Sequence, residues 1–316
     1  MKVLITPTSL KPDIPLPALK ALKAFADEII YNPFGRPLVQ HELIELLPDC
    51  DGFIAGLDYI DADVINSCNK LKVISRYGAG VDRVDLNAAK AKGIVVCNTP
   101  GANSQAVADL TLGLMLSVAR KIPSLDAKTK SAEWVRSTGI ELYNKTIGIL
   151  GLGAIGKAVA KRVQGFSMNV LAFDPYIDSE YAKANDITVA TIEQIVKNAD
   201  VISLHLPLTA ETRHIINGNL MNSMKKGVII INTSRGGLID EDVALKMLKT
   251  GHLGGLGLDA FEKEPLGETA FSSFDNVVLT PHTAAHTKEA TENMANMAIQ
   301  NLIYVLSGKE CKYTVS

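Results

Sequence analysis

The chain has little cysteine and almost no imbalance of charge. Its four cysteines, Cys50, Cys68, Cys97 and Cys311, form no C-x-x-C pair. Scattered, mostly apolar-flanked thiols in a chain this long are expected to be reduced core residues, not a disulfide or metal framework. Lys plus Arg is 32 and Asp plus Glu is 34, a net charge of −2. That leaves no bulk electrostatic footprint for nucleic acid or an anionic membrane. The six histidines lack spacing such as H-E-x-x-H, so no metal site is expected. Long apolar runs are missing too. The most hydrophobic stretch, 106–119, contains Asp109 and runs into Arg120, short of the roughly 20 residues that cross a bilayer. The start, Met1-Lys2-Val3-Leu4-Ile5-Thr6-Pro7, has only a short apolar run and does not read as a signal peptide. A cytoplasmic protein without membrane or nucleic-acid partners is expected.

What is present is a globular composition, 47% hydrophobic and 21% charged, in a length that suits two domains at roughly 100–200 residues each. Short apolar runs alternate with helical spacing. Strand-like runs at 2–6, 28–31, 52–55, 72–75 and 94–97 are separated by helical stretches at 16–25, 38–47, 62–68 and 85–92. This is the pattern of parallel strands joined by crossover helices. The unit closes at Asn98-Thr99-Pro100-Gly101. A helix over 104–121 is apolar on most faces and needs more than one sheet surface to cover it. A second series follows, with strands at 146–150, 169–174, 201–205, 228–232, 255–259 and 277–280 and a last helix at 288–306. The expected fold class is α/β, with two doubly wound parallel-sheet domains.

The sharpest local signal is Gly151-Leu152-Gly153-Ala154-Ile155-Gly156, which follows the apolar run 147–150 and opens a helix. The first glycine permits a tight turn, the second lets the backbone approach a pyrophosphate, and the third lets helix and strand pack closely. The helix N-terminus then offers free N–H groups and a positive dipole end. An ordinary βα turn can share these glycines. Here, however, the next strand ends in Asp174, 23 residues after Gly151, where an acid bonds the adenosine ribose diol and repels a 2′-phosphate. Pro175 and Tyr176 follow it, with no Arg. Dinucleotide binding is expected, with NAD preferred to NADP.

Three further segments lie at strand ends, where open α/β sheets bind ligands. Asn232-Thr233-Ser234-Arg235-Gly236-Gly237 presents an Arg whose fork can hold a carboxylate in two parallel bonds; on spacing alone it could equally be a surface Arg in a turn. Asp259-Ala260-Phe261-Glu262-Lys263-Glu264-Pro265 carries carboxylates that could be solvated loop charges. Pro281-His282-Thr283-Ala284-Ala285-His286 offers a general acid/base or a structural histidine. His205, His282 and His286 all lie near strand ends, and spacing does not rank them.

Taken in order, these four segments, with Ser75-Arg76-Tyr77-Gly78-Ala79-Gly80-Val81-Asp82-Arg83-Val84-Asp85 and 98–108 before them, resemble the D-isomer-specific 2-hydroxyacid dehydrogenase family over essentially the whole chain. The resemblance implies a flavodoxin-like substrate-binding domain from residues 1–98 and 286–316 and a Rossmann NAD-binding domain from 99–285. It implies a cleft between them, with hinges near Thr99-Pro100 and near His286. The implied activity is reversible hydride transfer between NAD and C2 of a short 2-hydroxy or 2-keto acid. Arg235 would bind the substrate carboxylate and carbonyl, His282 would be the acid/base and Glu264 its partner. Gly78, Ala79 and Gly80 would offer backbone N–H groups to the carboxylate. Asp259 would meet the nicotinamide carboxamide, and Thr233, Pro207, Ala154 and Ile155 would line the cofactor. The helix at 104–121 would bury its excess apolar surface in a homodimer.

Within the family the chain looks most like the D-3-phosphoglycerate dehydrogenase-like members. It stops at Ser316, so the regulatory domain of some members is expected to be absent. Many phosphoglycerate enzymes carry an Arg and a nearby Lys after the third strand of the substrate domain; Ile54-Ala55-Gly56-Leu57-Asp58-Tyr59 has no cation there. Arg76 does match a basic position. Either phosphate binding rests on Arg76, or the substrate is unphosphorylated, as in hydroxypyruvate or glyoxylate reduction. Outside enzymes, the family includes NAD-sensing corepressors that retain the fold. Glu264 disfavours a formate dehydrogenase, where an amide is the rule.

Overall fold

The computed structural model describes residues 1–315, which form two compact units. One is Met1–Asn103 together with the segment from His286 onward; the other is Ser104–Ala285. The junction expected after Asn98 falls at Asn103, because the intervening residues are tied to the first unit. The Asn98 N–H donates to Tyr313 O, and the Thr99 N–H donates to Gly78 O at 3.0 Å.

The first unit runs β1 (Lys2–Ile5), α1 (Pro17–Phe25), β2 (Glu28–Tyr31), α2 (Gln40–Leu46), β3 (Gly52–Ala55), α3 (Ala62–Ser67), β4 (Val73–Arg76), α4 (Leu86–Ala91) and β5 (Val95–Cys97). Its five strands are ordered β2-β1-β3-β4-β5 and are all parallel, the 2-1-3-4-5 order of a flavodoxin-like sheet. Every residue of β3 and β4 is buried, as continuous apolar strands covered on both faces must be. Side-chain caps start the helices after β3 and β4: Asp61 accepts from Val64 N and Asp85 from Ala88 N. One face of the sheet packs Leu43, Leu47, Val64, Ile65 and Ala89. The other packs Leu19 and Leu22 with Ala298, Ile299 and Leu302 of the C-terminal helix.

The second unit runs α5 (Ser104–Arg120), α6 (Ile122–Lys130), β6 (Thr146–Leu150), α7 (Ala154–Val163), β7 (Asn169–Phe173), α8 (Ser179–Ala184), β8 (Ile187–Val189), α9 (Ile192–Asn198), β9 (Val201–Leu204), α10 (Gly218–Ser223), β10 (Val228–Asn232), α11 (Glu241–Lys249), β11 (Leu253–Leu258) and β12 (Val277–Leu279). The chain then ends in α12 (Lys288–Leu306) of the first unit. The seven strands are parallel, in the order β12-β11-β10-β9-β6-β7-β8. Counted from β6 this is the Rossmann order 3-2-1-4-5-6-7, and direction reverses between β6 and β9.

Much of the apolar surface of α5 is buried inside its own unit. Leu114 and Val118 press onto the glycines of β11: a methyl group at Gly255 would lie 2.4 Å from Val118 Cγ1, and one at Gly257 would lie 3.0 Å from Leu114 Cβ. The run Leu-Gly-Gly-Leu-Gly-Leu is thus a groove for this helix. Among the described residues no helix is long and apolar enough to cross a membrane.

Candidate active site

The glycine turn sits at the reversal point, between β6 and α7. Gly151 has φ +101°, and a methyl group on it would fall 2.6 Å from the carbonyl of His205 at the end of β9. A methyl group on Gly156 would fall 2.0 Å from Gly151 O. Gly153 has no atom within 4 Å of such a methyl, so this glycine leaves the approach to the backbone open. Gly153 is also the N-cap of α7 and supplies no side-chain cap, which leaves the first N–H groups of a ten-residue helix for an anion. Ala154 is exposed and Ile155 half-buried at that helix start. Asp174 Oδ2 accepts from Leu152 N and Oδ1 from Tyr176 N, both at 2.8 Å. The carboxylate therefore holds the turn and stands beside it. These features fit a dinucleotide.

Arg235, Glu264 and His282 follow the adjacent strands β10, β11 and β12. Glu264 holds His282 at Nδ1, with Oε1 at 2.9 Å and Oε2 at 3.0 Å; Oε1 also accepts from Phe261 N. Both side chains keep some exposure, 15% for Glu264 and 23% for His282, so the far imidazole nitrogen can be reached. Arg235 is half-buried, and its Nη1 donates to Ser234 O at 2.8 Å. Its loop is pinned by Asn232, which accepts from Ser234 N and donates to Arg235 O. Gly236 lies against the backbone of Phe261 and Glu262, where a methyl group would come within 1.8 Å. The loops bearing Arg235 and Glu264 are locked together there.

Asp259 has a part that sequence reasoning missed. Its Oδ1 accepts from Thr280 Oγ1 at 2.6 Å and from Thr283 N at 2.8 Å, and its Oδ2 accepts from Ala284 N at 2.8 Å. These bonds brace both sides of His282, whose φ of +51° is a left-handed conformation rare outside glycine. Burial pushes the Asp259 carboxyl above the usual range, while the same bonds pull it down. Its only sequence signal was its place at a strand end, which pointed toward the cofactor.

The other expected residues divide. Thr233 is buried, with its hydroxyl 2.9 Å from that of Thr111. Pro207 is exposed and its carbonyl accepts from Thr212. His205 has Nε2 against Ser203 Oγ at 2.9 Å and a buried Nδ1 with no partner among the described residues. Burial pulls it down to about 3, so near pH 7 it is the neutral imidazole and not a general acid. His286 begins the segment belonging to the first unit. A carboxylate of the same loop cluster holds His282 by its ring, whereas the ring of His205 meets only Ser203.

In the first unit, two of the expected residues are engaged by the chain itself. Gly78 (φ +144°) donates its N–H to Thr99 Oγ1 at 2.9 Å, so only Ala79 and Gly80 have amides without a partner among the described residues. Arg76 is 2% exposed. Its Nη1 donates to Ala55 O at 2.9 Å and its Nε to Gly80 O at 3.2 Å. The guanidinium turns inward and holds the 78–80 loop. Among the described residues no cluster of His, Cys, Asp and Glu could hold a metal ion.

Residues 112–284 match the family model described as D-isomer specific 2-hydroxyacid dehydrogenase, NAD binding domain. The chain is 44% identical over 283 residues to a D-3-phosphoglycerate dehydrogenase of Methanocaldococcus jannaschii, covering 88% of this chain and 54% of that protein. It thus spans about half the length of the phosphoglycerate dehydrogenases it matches. It is 40% identical over 306 residues to a glyoxylate reductase of Thermofilum pendens, covering 94% of this chain and 90% of that protein. Among solved structures it is similar to the TT0316 protein of Thermus thermophilus, with a TM-score of 0.89, 37% identity and full coverage of both chains. The glycine turn with its acid, the strand-end Arg and the carboxylate–histidine pair therefore sit in a chain that belongs to the D-isomer specific 2-hydroxyacid dehydrogenase family, and it carries that family's NAD-binding domain.

Proposed function

We propose that the chain is an NAD-dependent dehydrogenase of short D-2-hydroxy acids, D-3-phosphoglycerate dehydrogenase-like in sequence, with hydroxypyruvate or glyoxylate reduction as the alternative. The observation that carries this reading is the Glu264 carboxylate on His282 Nδ1 at 2.9 Å, one strand end away from Arg235. The nicotinamide, when bound, supplies or accepts the hydride at C2 of the acid. Gly151, Gly153, Gly156, Ala154 and Ile155 would hold the pyrophosphate, Asp174 the ribose, and Thr233, Pro207 and Asp259 the nicotinamide end.

Arg235 grips the substrate carboxylate and polarises the carbonyl. His282 gives its Nε2 proton to the carbonyl oxygen during reduction and takes one from the hydroxyl during oxidation. Glu264 accepts from Nδ1, so Nε2 is the nitrogen that faces substrate, and it stabilises the charged ring. Asp259 positions the loop on which that ring stands. In the first unit, Ala79 and Gly80 have amides without a partner among the described residues and Arg76 holds their loop, which supports reading this unit as the substrate-binding domain.

We infer a homodimer as well. Trp134 (84% exposed), Val135, Ile140 and Tyr143 are uncovered between α6 and β6, an apolar set that a second copy would bury. The four free, buried thiols suit the cytoplasm. The deciding experiment is NADH oxidation with glyoxylate, hydroxypyruvate, pyruvate and phosphohydroxypyruvate; no turnover on any of them would remove the enzymatic reading.

A further inference from the structure

The C-terminal edge of the five-stranded sheet contains an anion seat, and the chain fills it itself. The hydroxyl of Thr6 after β1 and the amides of Gly56 after β3 and Leu38 before α2 converge on one point. The Leu38 N–H donates to Asp58 Oδ1 at 2.7 Å. The Gly56 N–H donates to Asp58 Oδ2 at 3.0 Å, and the Thr6 hydroxyl donates to the same oxygen. Asp58 is 1% exposed. Converging donors at a sheet edge are the usual cradle for a ligand's phosphate or carboxylate, yet here a side chain of the protein sits among them, with the Gly56 N–H shared between Asp58 and Thr6 Oγ1 at 2.9 Å.

The seat adjoins the 78–80 loop. Ala55 pairs with Arg76 across β3 and β4, and the Tyr77 N–H donates to Ala55 O at 3.0 Å. Among the described residues, the guanidiniums near it are all engaged by the chain itself. Arg76 is buried on Ala55 O and Gly80 O. Arg83 donates to Leu57 O at 2.7 Å and lies over the Tyr59 ring. Arg36 pairs in two bonds with Glu42. Lys11, the other cation on these loops, is a lone exposed ammonium. Nor can position 56 bear a longer side chain without displacement, since a Cβ there would sit 3.1 Å from Pro7 N and Cα.

We propose that this chain selects unphosphorylated short 2-keto acids, and that Asp58 sets this by occupying with its own carboxylate the seat a substrate phosphate would need. The proposal rests on the dehydrogenase reading above. A phosphate arriving beside the 78–80 loop meets spent donors, engaged guanidiniums and a fixed negative charge. A two- or three-carbon keto acid without phosphate meets none of these obstacles.

The test compares hydroxypyruvate with phosphohydroxypyruvate as substrates for NADH oxidation by the intact chain. Wild type should prefer hydroxypyruvate by at least about 100-fold in kcat/KM. Asp58→Asn keeps an acceptor oxygen and removes the charge; it should narrow the ratio at least about tenfold. Asp58→Ala vacates the seat, so inorganic phosphate should raise its Tm more than that of wild type. Arg76→Lys should lower kcat/KM on both acids alike, as loss of a loop anchor would. Comparable or better turnover of phosphohydroxypyruvate by wild type would overturn the proposal while leaving the dehydrogenase reading intact. An unchanged ratio in Asp58→Asn, with phosphate giving Asp58→Ala no extra Tm, would remove Asp58 as the determinant. Absence of turnover on every keto acid is the separate failure of the dehydrogenase reading.

Discussion

Gly236 and Phe261 are in such close backbone contact that a methyl group on the glycine would lie 1.8 Å from the phenylalanine carbonyl carbon. The obstacle is main chain on a crossing loop and cannot rotate away. Gly236→Ala is therefore expected to destabilise the protein by about 3 kcal/mol, the upper part of the overpacking range, lowering Tm by roughly 6–12 °C. Gly153→Ala is the contrast: nothing lies within 4 Å and φ is −74°. Its Tm should stay within a degree or two of wild type while NADH binding weakens. Calorimetry on both variants, with NADH titration of the second, checks the pair.

The Glu264–His282 pair should behave as one unit. His282→Ala is expected to lower turnover by roughly 10²–10⁴-fold, the range for a lost general acid. Glu264→Gln loses a charge-assisted bond of about 1.5–3 kcal/mol, so roughly 10–100-fold in kcat/KM. The double variant should be no slower than His282→Ala alone, because the carboxylate acts only through the ring. Full additivity in the cycle would place Glu264 outside the proton path.

The architecture was legible because parallel strands buried on both faces must be mostly apolar runs, as 52–55, 201–204 and 228–232 are apart from Ser203 and Asn232. The short strand β8 escaped notice: of Ile187, Thr188 and Val189 only Ile187 is buried. The glycine turn and its acid were legible as local spacing. The histidine was not. His282 is distinguished from His205 by a carboxylate 18 residues earlier in the chain and by the burial of its rival, both properties of the folded loops. The same holds for Arg76 and Gly78, whose bonds to Ala55 O and Thr99 Oγ1 no local pattern announces. Nor does any local pattern announce that Leu114 and Val118 of α5 pack on the glycines of β11.

Asp174 should decide between the two nicotinamide cofactors. Its carboxylate is fixed beside the turn by Leu152 N and Tyr176 N and cannot swing away from a 2′-phosphate. Juxtaposing like charges costs several kcal/mol, so kcat/KM with NADH should exceed that with NADPH by at least about tenfold. Asp174→Asn retains an acceptor for one amide and should narrow the preference. Equal efficiency of the wild type with both cofactors would contradict the assignment.

His205 predicts an acid sensitivity with a definite sign. Burial lowers its folded pKa from 6.5 to about 3, so between those values the unfolded chain binds the extra proton. Its contribution is complete above pH 6.5 and is lost as pH falls toward 3, at up to about 1.4 kcal/mol per pH unit. His205→Gln removes the titrating group. Urea midpoints taken between pH 7.5 and pH 5, a range chosen to straddle the unfolded value, should fall less steeply for the variant. Parallel curves would show that the imidazole titrates normally.

Arg235 fixes the substrate class, and its test is a change that keeps charge. Lysine retains the cation but loses the planar fork that meets a carboxylate in two bonds. Its shorter reach from a loop pinned by Asn232 adds to the mismatch. Losing one charge-assisted bond amounts to about 1.5–3 kcal/mol, so Arg235→Lys should lower kcat/KM by roughly 10–100-fold on every 2-keto acid that wild type accepts. NADH affinity should hold, because the pyrophosphate contacts are assigned to the turn at 151–156. A smaller, charge-only role predicts the opposite: Lys nearly as active as Arg, with Arg235→Ala the damaging change. Steady-state kinetics of Arg235→Lys and Arg235→Ala against one keto acid, with NADH binding measured separately, distinguish a fork that clamps the carboxylate from a cation that merely attracts it.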